Sequence, residues 1–293
     1  MSTVVPPCEP QADFTHRLRV RWAEVDAQQV VFNGHYLTYL DVTVSEYWRA
    51  VGLPYPDAFV HQGGDIFVRQ QTLAYEAPAR LDDWLDIGLR CTRLGNSSIT
   101  LSWTIHSQAR LLVQGETVYV HTALADRRPC AVPAAMREQI EALQQGRSPW
   151  QLQCGDWASL QEAAASVRRA VFIVEQAIDE AEEWDDADAS AVHAVVRNLA
   201  GLPVATGRLI HAGQAEGQAK IGRMCVLRSA RGIGLGAQVL LALIDAARAR
   251  GIRQISLSAQ VAARPFYARY GFVAEGALYD EVAIPHQRMT LTL

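Results

Sequence analysis

The chain has 293 residues, 49% hydrophobic and 20% charged, with a net charge of -4, which leaves room for two ordinary domains and provides no basic field for nucleic acid. Lys220 is the only lysine among 27 Lys and Arg residues; an arginine-dominated charge suits planar, bidentate anion contacts, and a GC-rich genome also produces it. The five cysteines, Cys8, Cys91, Cys130, Cys154 and Cys225, form no C-x-x-C pair and show no ligand-like spacing with histidine, so free thiols in a reducing cytosol and no metal are expected.

Residues 1–13, MSTVVPPCEPQAD, are rich in proline and polar groups and predict a disordered tail without a leader; no later run is long and apolar enough for a membrane span, so a cytoplasmic protein is expected. THRLRVRWAEV predicts a strand over 15–25. Tyr36, Leu37, Leu40, Val44, Tyr47 and Val51 then recur at helical spacing, with Asn33 as N-cap, Gly52 as stop and Pro54 beyond. From Ile66 to Ala125 four alternating, β-branched and aromatic runs predict an antiparallel sheet that covers the helix's apolar stripe. His16, His61, His106 and His121 fall in or beside these strands with no paired ligand pattern.

After the helix VPAAMREQIEAL, the polar segment QQGRSPW marks a boundary. A strand, WQLQCGDW, follows, then a helix with Ser159 and Glu162 as its capping box. The acidic run Glu180 to Asp188 is expected to be a solvated loop. Strands at AVHAVVRNL, VATGRLIHA and KIGRMCVL lead into the glycine turn RSARGIGLGAQVL and its helix, then a strand, a short helix ARPFYARYG and a C-terminal pair. The predicted division is a tail at 1–13, a first domain at 14–144, a linker at 145–150 and a second domain at 151–293. The halves share no repeat.

A glycine turn that opens a helix is an anion site, because amides without intrahelical partners face outward and the helix dipole adds to them. RGIGLG has no Walker lysine, and Ala237 stands where a dinucleotide fingerprint needs its third glycine. The remaining pattern is R-x-x-G-x-G on Arg231, Gly234 and Gly236. With it, VLRSARGIGLGAQVLLALIDAARARG resembles the coenzyme A motif of the GNAT acetyltransferases. ARPFYARYGF is similar to that superfamily's tyrosine helix, and VRRAVFIVEQ with AIPHQRM points to the ElaA-type subgroup.

The resemblance covers nearly all of residues 150 to 293. It implies that Arg231, Gly232, Ile233, Gly234, Leu235, Gly236 and Ala237 hold pyrophosphate, that the strand Met224, Cys225 and Val226 bonds pantetheine, and that Tyr267 protonates the leaving thiolate. Gln260 replaces a common asparagine beside the pantetheine. Glu175, Glu281 and His286 are the candidates for the base that takes the amine's proton.

In the first half, WAEVDAQQVVFNGHYL sets a carboxylate, Asp26, seven residues before Asn33 and the long helix. A thioester carbonyl at that helix's free amides would be polarised, and the carboxylate could attack it or activate water. RVRWAEVDAQQVVFNGHYLTYLDVTVSEYW with LAYEAPARLDDWLDI resembles a hotdog-fold acyl-CoA thioesterase of the YbgC and 4-hydroxybenzoyl-CoA type, over about residues 14 to 143. The resemblance implies Asp26 as nucleophile or general base, the Asn33 amide as oxyanion donor, and a homodimer or homotetramer. Gln29 replaces a common glycine, Asn33 replaces a common histidine, and Glu46 is a secondary carboxylate.

The expected fold class is therefore α+β, with a hotdog domain followed by a GNAT domain with a mixed sheet. The expected function is bifunctional: hydrolysis of acyl-CoA, and transfer of an acetyl or acyl group from CoA to an amine. Acyl-CoA and the amine are the expected partners, with no metal, nucleic acid or membrane. A non-catalytic acyl-CoA sensor is the alternative.

Overall fold

The computed structural model describes residues 12–211 and 217–293, in two units, Met1–Pro149 and Trp150–Leu293. The predicted tail falls outside the described residues as far as position 11. Asp13 is tied to the sheet: its N–H donates to Leu89 O (2.9 Å) and its carboxylate accepts from the Cys91 N–H (3.0 Å).

The first unit runs β1 (Phe14–Arg19), α1 (His35–Ala50), α2 (Asp57–His61), β2 (Gly64–Tyr75), β3 (Trp84–Leu94), β4 (Ser98–Ser107), β5 (Arg110–Ala123) and α3 (Ala134–Gln144). Its five strands form one antiparallel sheet in the order β1-β3-β4-β5-β2. Alternation decides the faces: Ile99, Leu101, Trp103 and Ile105 of β4 are all almost fully buried, whereas Ser102 and Thr104 between them are only partly so. Long helix α1 buries Tyr36, Tyr39, Leu40, Thr43, Val44, Tyr47 and Trp48, each large apolar side chain contributing about 1.5–3 kcal/mol. Leu37, expected on that stripe, is instead 42% exposed, because one residue past Tyr36 the helix has turned away from the sheet.

The start of α1 differs by a residue from expectation, and its stop falls at Gly52 as expected. Gly34, not Asn33, is the N-cap. At the other end the Leu53 N–H donates to Trp48 O (2.7 Å) and the Gly52 N–H to Arg49 O (3.0 Å), a Schellman stop with Gly52 at φ +83. A Cβ at Gly52 would lie 2.7 Å from Pro149 Cβ, so glycine is needed for space as well as conformation.

The second unit contains β6 (Trp150–Gly155), α4 (Trp157–Arg168) continued by a π-helical segment (Arg169–Glu175), α5 (Glu180–Glu183), β7 (Val192–Asn198), β8 (Pro203–His211), β9 (Gln218–Val226), α6 (Leu235–Ala249), β10 (Gln254–Gln260), α7 (Arg264–Ala268), β11 (Val273–Glu281) and β12 (Ile284–Thr292). The sheet order is β11-β12-β10-β9-β8-β7-β6. It is mixed: β9 and β10 pair in parallel, the other neighbours antiparallel. Helix α6 buries Val239, Leu240, Leu243 and Ile244 against the sheet, the wide apolar stripe expected of a core-facing helix.

Two sequence expectations fail here. Asp156, not Ser159, caps α4, its carboxylate accepting from the Ser159 N–H at 3.0 Å. The acidic run is not a solvated loop. Arg168, 1% exposed, donates to Glu183 Oε1 (2.5 Å), Glu183 O (2.9 Å) and Asp188 Oδ1 (2.7 Å). Arg208 donates to Asp185 and Asp188, Arg223 to Glu183, and the Arg168 guanidinium lies over the Trp184 ring at 4.7 Å. Buried charges survive only when paired and hydrogen-bonded, and these carboxylates draw their partners from α4, β8 and β9.

Candidate functional site

In the second unit the site begins where two strands part. The parallel register of β9 with β10 ends at Ile221↔Leu257, although β9 continues to Val226 and β10 to Gln260. Arg223, at φ +53, and a register shift against β8 between Thr206 and Arg208 mark the bend. A bulge increases local twist and redirects a strand. Beyond it Cys225 and Val226 stay paired with β8, while on the β10 side Met224, Cys225 and Val226 face a cavity of about 730 Å³.

The glycine turn closes one end of this cavity. Gly232 and Gly234 lie at φ +87 and +88, conformations costly for any residue with a Cβ, and Gly234 is the N-cap of α6. The N–H groups of Gly232, Ile233, Gly234, Leu235 and Gly236 have no protein partner among the described residues. Together with the positive end of α6 they form an anion cradle. Gly232, Gly234, Leu235, Gly236 and Ala237 line the cavity.

Arg231 also lines it, but its side chain is committed elsewhere. Nη1 and Nη2 grip the two oxygens of Glu175, each at 2.7 Å, and Nε donates to Val226 O at 3.0 Å. The Arg231 hydrogen bond and charge hold the Glu175 carboxyl below its usual range against a smaller effect of burial. A carboxylate so occupied is poorly suited to accept an amine's proton, and Glu175 is not a wall of the cavity.

Tyr267, on α7, is a wall and is nearly buried. Burial, with a smaller contribution from nearby Cys225, pushes its phenol up to about 12. It therefore keeps its proton at neutral pH and can donate it to a developing thiolate. Gln260 Nε2 donates to Gln176 Oε1 at 3.1 Å across the open end of the strands. Glu281 and His286 both line the cavity. Ser258 Oγ donates to Glu281 Oε2 (2.7 Å) and bonds Tyr279 Oη, while His286 Nδ1 donates to Ile284 O (2.7 Å), leaving Nε2 as its acceptor. Ser258, Gln176 and Tyr279 were not singled out in the sequence; only their convergence from separate elements identifies them.

In the first unit Asp26 sits in a tight turn. Its Oδ1 accepts from the Gln28 N–H (2.8 Å) and its carbonyl from the Gln29 N–H (2.9 Å). Gln29 has φ +59, which accounts for glycine being the easier residue there, at a cost of about 1–2 kcal/mol for a side chain. Two residues before the turn stands Glu24, a residue not singled out in the sequence. Its buried carboxylate accepts from the Arg21 N–H (2.7 Å), Arg21 Nε (2.6 Å) and Tyr39 Oη (2.7 Å). Burial opposes the charge of Glu24, yet these bonds outweigh it and hold the carboxyl below its ordinary range.

Asn33 lies just before α1, and its N–H has no protein partner among the described residues. With Val31, Tyr36, Tyr75, Glu76 and Ala77 it lines a cavity of about 270 Å³ of which Asp26 is not a wall. Within one chain, then, the carboxylate sharing the Asn33 cavity is Glu76. Glu46 is paired with Arg49 along α1. His121 is buried against Cys130, its Nδ1 3.2 Å from Sγ, and no cluster of three metal-ligating side chains occurs among the described residues. Among these residues, too, no helix is long and apolar enough to cross a membrane.

Comparison with known proteins assigns the halves separately. The family model "Acetyltransferase (GNAT) domain" matches residues 167–293, and "Thioesterase superfamily" matches residues 28–114. The uncharacterized N-acetyltransferase YjcF of Bacillus subtilis is 36% identical over 124 residues, 42% of this chain and 86% of YjcF. A putative esterase of Aquifex aeolicus is 24% identical over 44% of this chain and 98% of its own. A solved putative N-acetyltransferase from Lactobacillus plantarum is 29% identical, covering 50% of this chain and 99% of that one, with a TM-score of 0.46. The chain belongs to the GNAT acetyltransferases through its second domain, and its first half matches the thioesterase superfamily model, so the two domain types stand in one chain.

Proposed function

We propose that the second domain transfers an acetyl or related acyl group from CoA to an amine, and that the first hydrolyses acyl-CoA thioesters, both on small-molecule substrates in the cytoplasm. One observation carries this reading: the row of unpartnered amides from Gly232 to Gly236 opens into the cavity that Tyr267 walls. Pyrophosphate binds those amides, and pantetheine bonds the backbone of Met224 to Val226, with Gln260 beside it. The amine attacks the thioester carbonyl, its proton passes to Glu281, the C–S bond breaks, and Tyr267 protonates the thiolate. Arg231 serves by shaping the turn through Glu175 and Val226.

In the first domain Asp26 acts as nucleophile or general base and the Asn33 amide as oxyanion donor. A second copy completes this site, which accounts for Asp26 lying off the Asn33 cavity of its own chain. The twelve-residue edge strand β2 supports a dimer: it carries exposed Phe67, Val68 and Tyr75, and an unpaired, partly apolar edge is a template for pairing. The experiment is a panel of acyl-CoAs given to the full chain with and without primary amines. Thiol release without amine reports the first site, and its amine-dependent increment the second. Release in neither arm would overturn the reading.

A further inference from the structure

Lys220 stands apart in a chain whose other basic Lys and Arg residues are all arginines. It is exposed on β9 and lines the same cavity as Tyr267, Ser258 and Glu281. Its neighbours Ala219 and Ile221 turn inward to the α6 side of the sheet, so alternation directs Lys220 to the opposite face. In the parallel register it sits opposite Ser256, two residues before Ser258. Gly222, where β9 leaves β10, is also two residues on, roughly 7 Å of strand. Among the described residues the Lys220 ammonium has no ion-pair partner.

An anchor for an anion would work as well or better as arginine, the cation used everywhere else in this chain. What lysine adds is a flexible four-carbon stem ending in a nitrogen that can lose its proton and act as a nucleophile. The chain thus has one side-chain amine, and it lies in the wall of a cavity furnished for acylating amines.

We propose that Lys220 is an acyl acceptor of its own site. This rests on the N-acyltransferase reading above. The Lys220 ammonium first releases one proton to solvent, its nitrogen lone pair then attacks the thioester carbonyl, and the second proton passes from that nitrogen to Glu281. The C–N bond forms, the C–S bond breaks, and the thiolate leaves with the proton of Tyr267, which solvent restores from Glu281. Acyl-CoA and lysine become an amide and CoA, with no redox partner. An amide is a much poorer acyl donor than a thioester, so the reaction stops at one group per chain. It also neutralises the only lysine charge on the cavity wall.

The test is intact-mass measurement of the full chain with acetyl-CoA and no added amine, followed by peptide mapping, beside an assay of amine-dependent CoA release. One acetyl group per chain is expected, on the peptide containing Lys220, absent from Lys220→Arg, with a half-time independent of protein concentration. Tyr267→Phe should slow its appearance about 10²-fold. An adduct that maps elsewhere, persists in Lys220→Arg, or forms as fast in Tyr267→Phe overturns the proposal. A half-time that shortens with protein concentration overturns the same-chain step. Amine-dependent CoA release without any adduct overturns this proposal and leaves the parent reading standing; absence of both overturns the two together.

Discussion

Arg231 grips Glu175 through two parallel N–H···O bonds, both 2.7 Å, while its third bond fastens the carbonyl of Val226 at 3.0 Å. One side chain thus ties the π-helical segment to the end of β9 and sets the entry of the glycine turn. Arg231→Lys keeps the charge and loses the fork. CoA affinity, read by calorimetry, should fall about fivefold, the equivalent of about 1 kcal/mol for a partly exposed pair. Glu175→Gln should do the same with kcat nearly unchanged. A collapse of kcat alone would return Glu175 to the list of bases.

Tyr267→Phe removes the proposed proton donor and leaves the packing. The amine-dependent kcat should fall about 10²-fold with acyl-CoA affinity retained. Because burial pushes the phenol up to about 12, the neutral donor persists beyond the ordinary phenol range near 10. The alkaline limb of wild-type kcat should therefore not begin at pH 10, and a pH–rate profile checks it.

Asp26→Asn should lower amine-independent thiol release by about 10²-fold or more while leaving the melting temperature close to wild type. The asparagine oxygen can still accept the Gln28 N–H that Asp26 Oδ1 accepts at 2.8 Å, so the turn survives. Undiminished hydrolysis in a folded Asp26→Asn protein would remove Asp26 from the mechanism.

Arg168→Ala should be among the most damaging single changes in the second domain, costing about 3–5 kcal/mol, because it leaves Glu183 and Asp188 buried without their shared cation. Urea or thermal unfolding of the two proteins measures it. His193 adds a pH dependence. Burial holds its folded-state pKa below the ordinary 6.5, so the unfolded chain takes up the proton first and stability is lost as pH falls below about 6.5. His193→Gln should flatten that limb of the urea midpoint against pH.

Phe67→Asp on the edge of β2 should convert the proposed dimer to monomers, seen by light scattering. Thiol release without amine should be lost with it, if a second copy completes the site of Asp26. Amine-dependent release, which needs only the second domain's own cavity, should continue.

Much of this molecule is legible in local sequence. The 3.6-residue stripe of α1, the period-two runs of β2 to β5, the stop at Gly52 and the left-handed glycines before α6 each follow from backbone sterics and the side-chain content of a few adjacent residues. So does the elimination of Walker and dinucleotide sites from RGIGLG. The acidic run from Glu180 to Asp188 reads as solvated because its arginine partners lie on α4, β8 and β9, elements that no window of the sequence joins.

The same reason explains the rest of what only the tertiary structure decided. The choice among Glu175, Glu281 and His286 depends on which of them Arg231 engages and which face the cavity. The opening beyond Ile221 depends on a bend at Arg223 felt between strands, and Asp26 and Asn33, seven positions apart, do not line one cavity in a single chain. Sequence by itself determined the elements, the cradle and the chemistry available to it, since those are short-range properties. Which charges are buried, which side chains meet and which carboxylate is free to act were decided by contacts distant along the chain, where the cost of leaving a buried charge unpaired selects the partners.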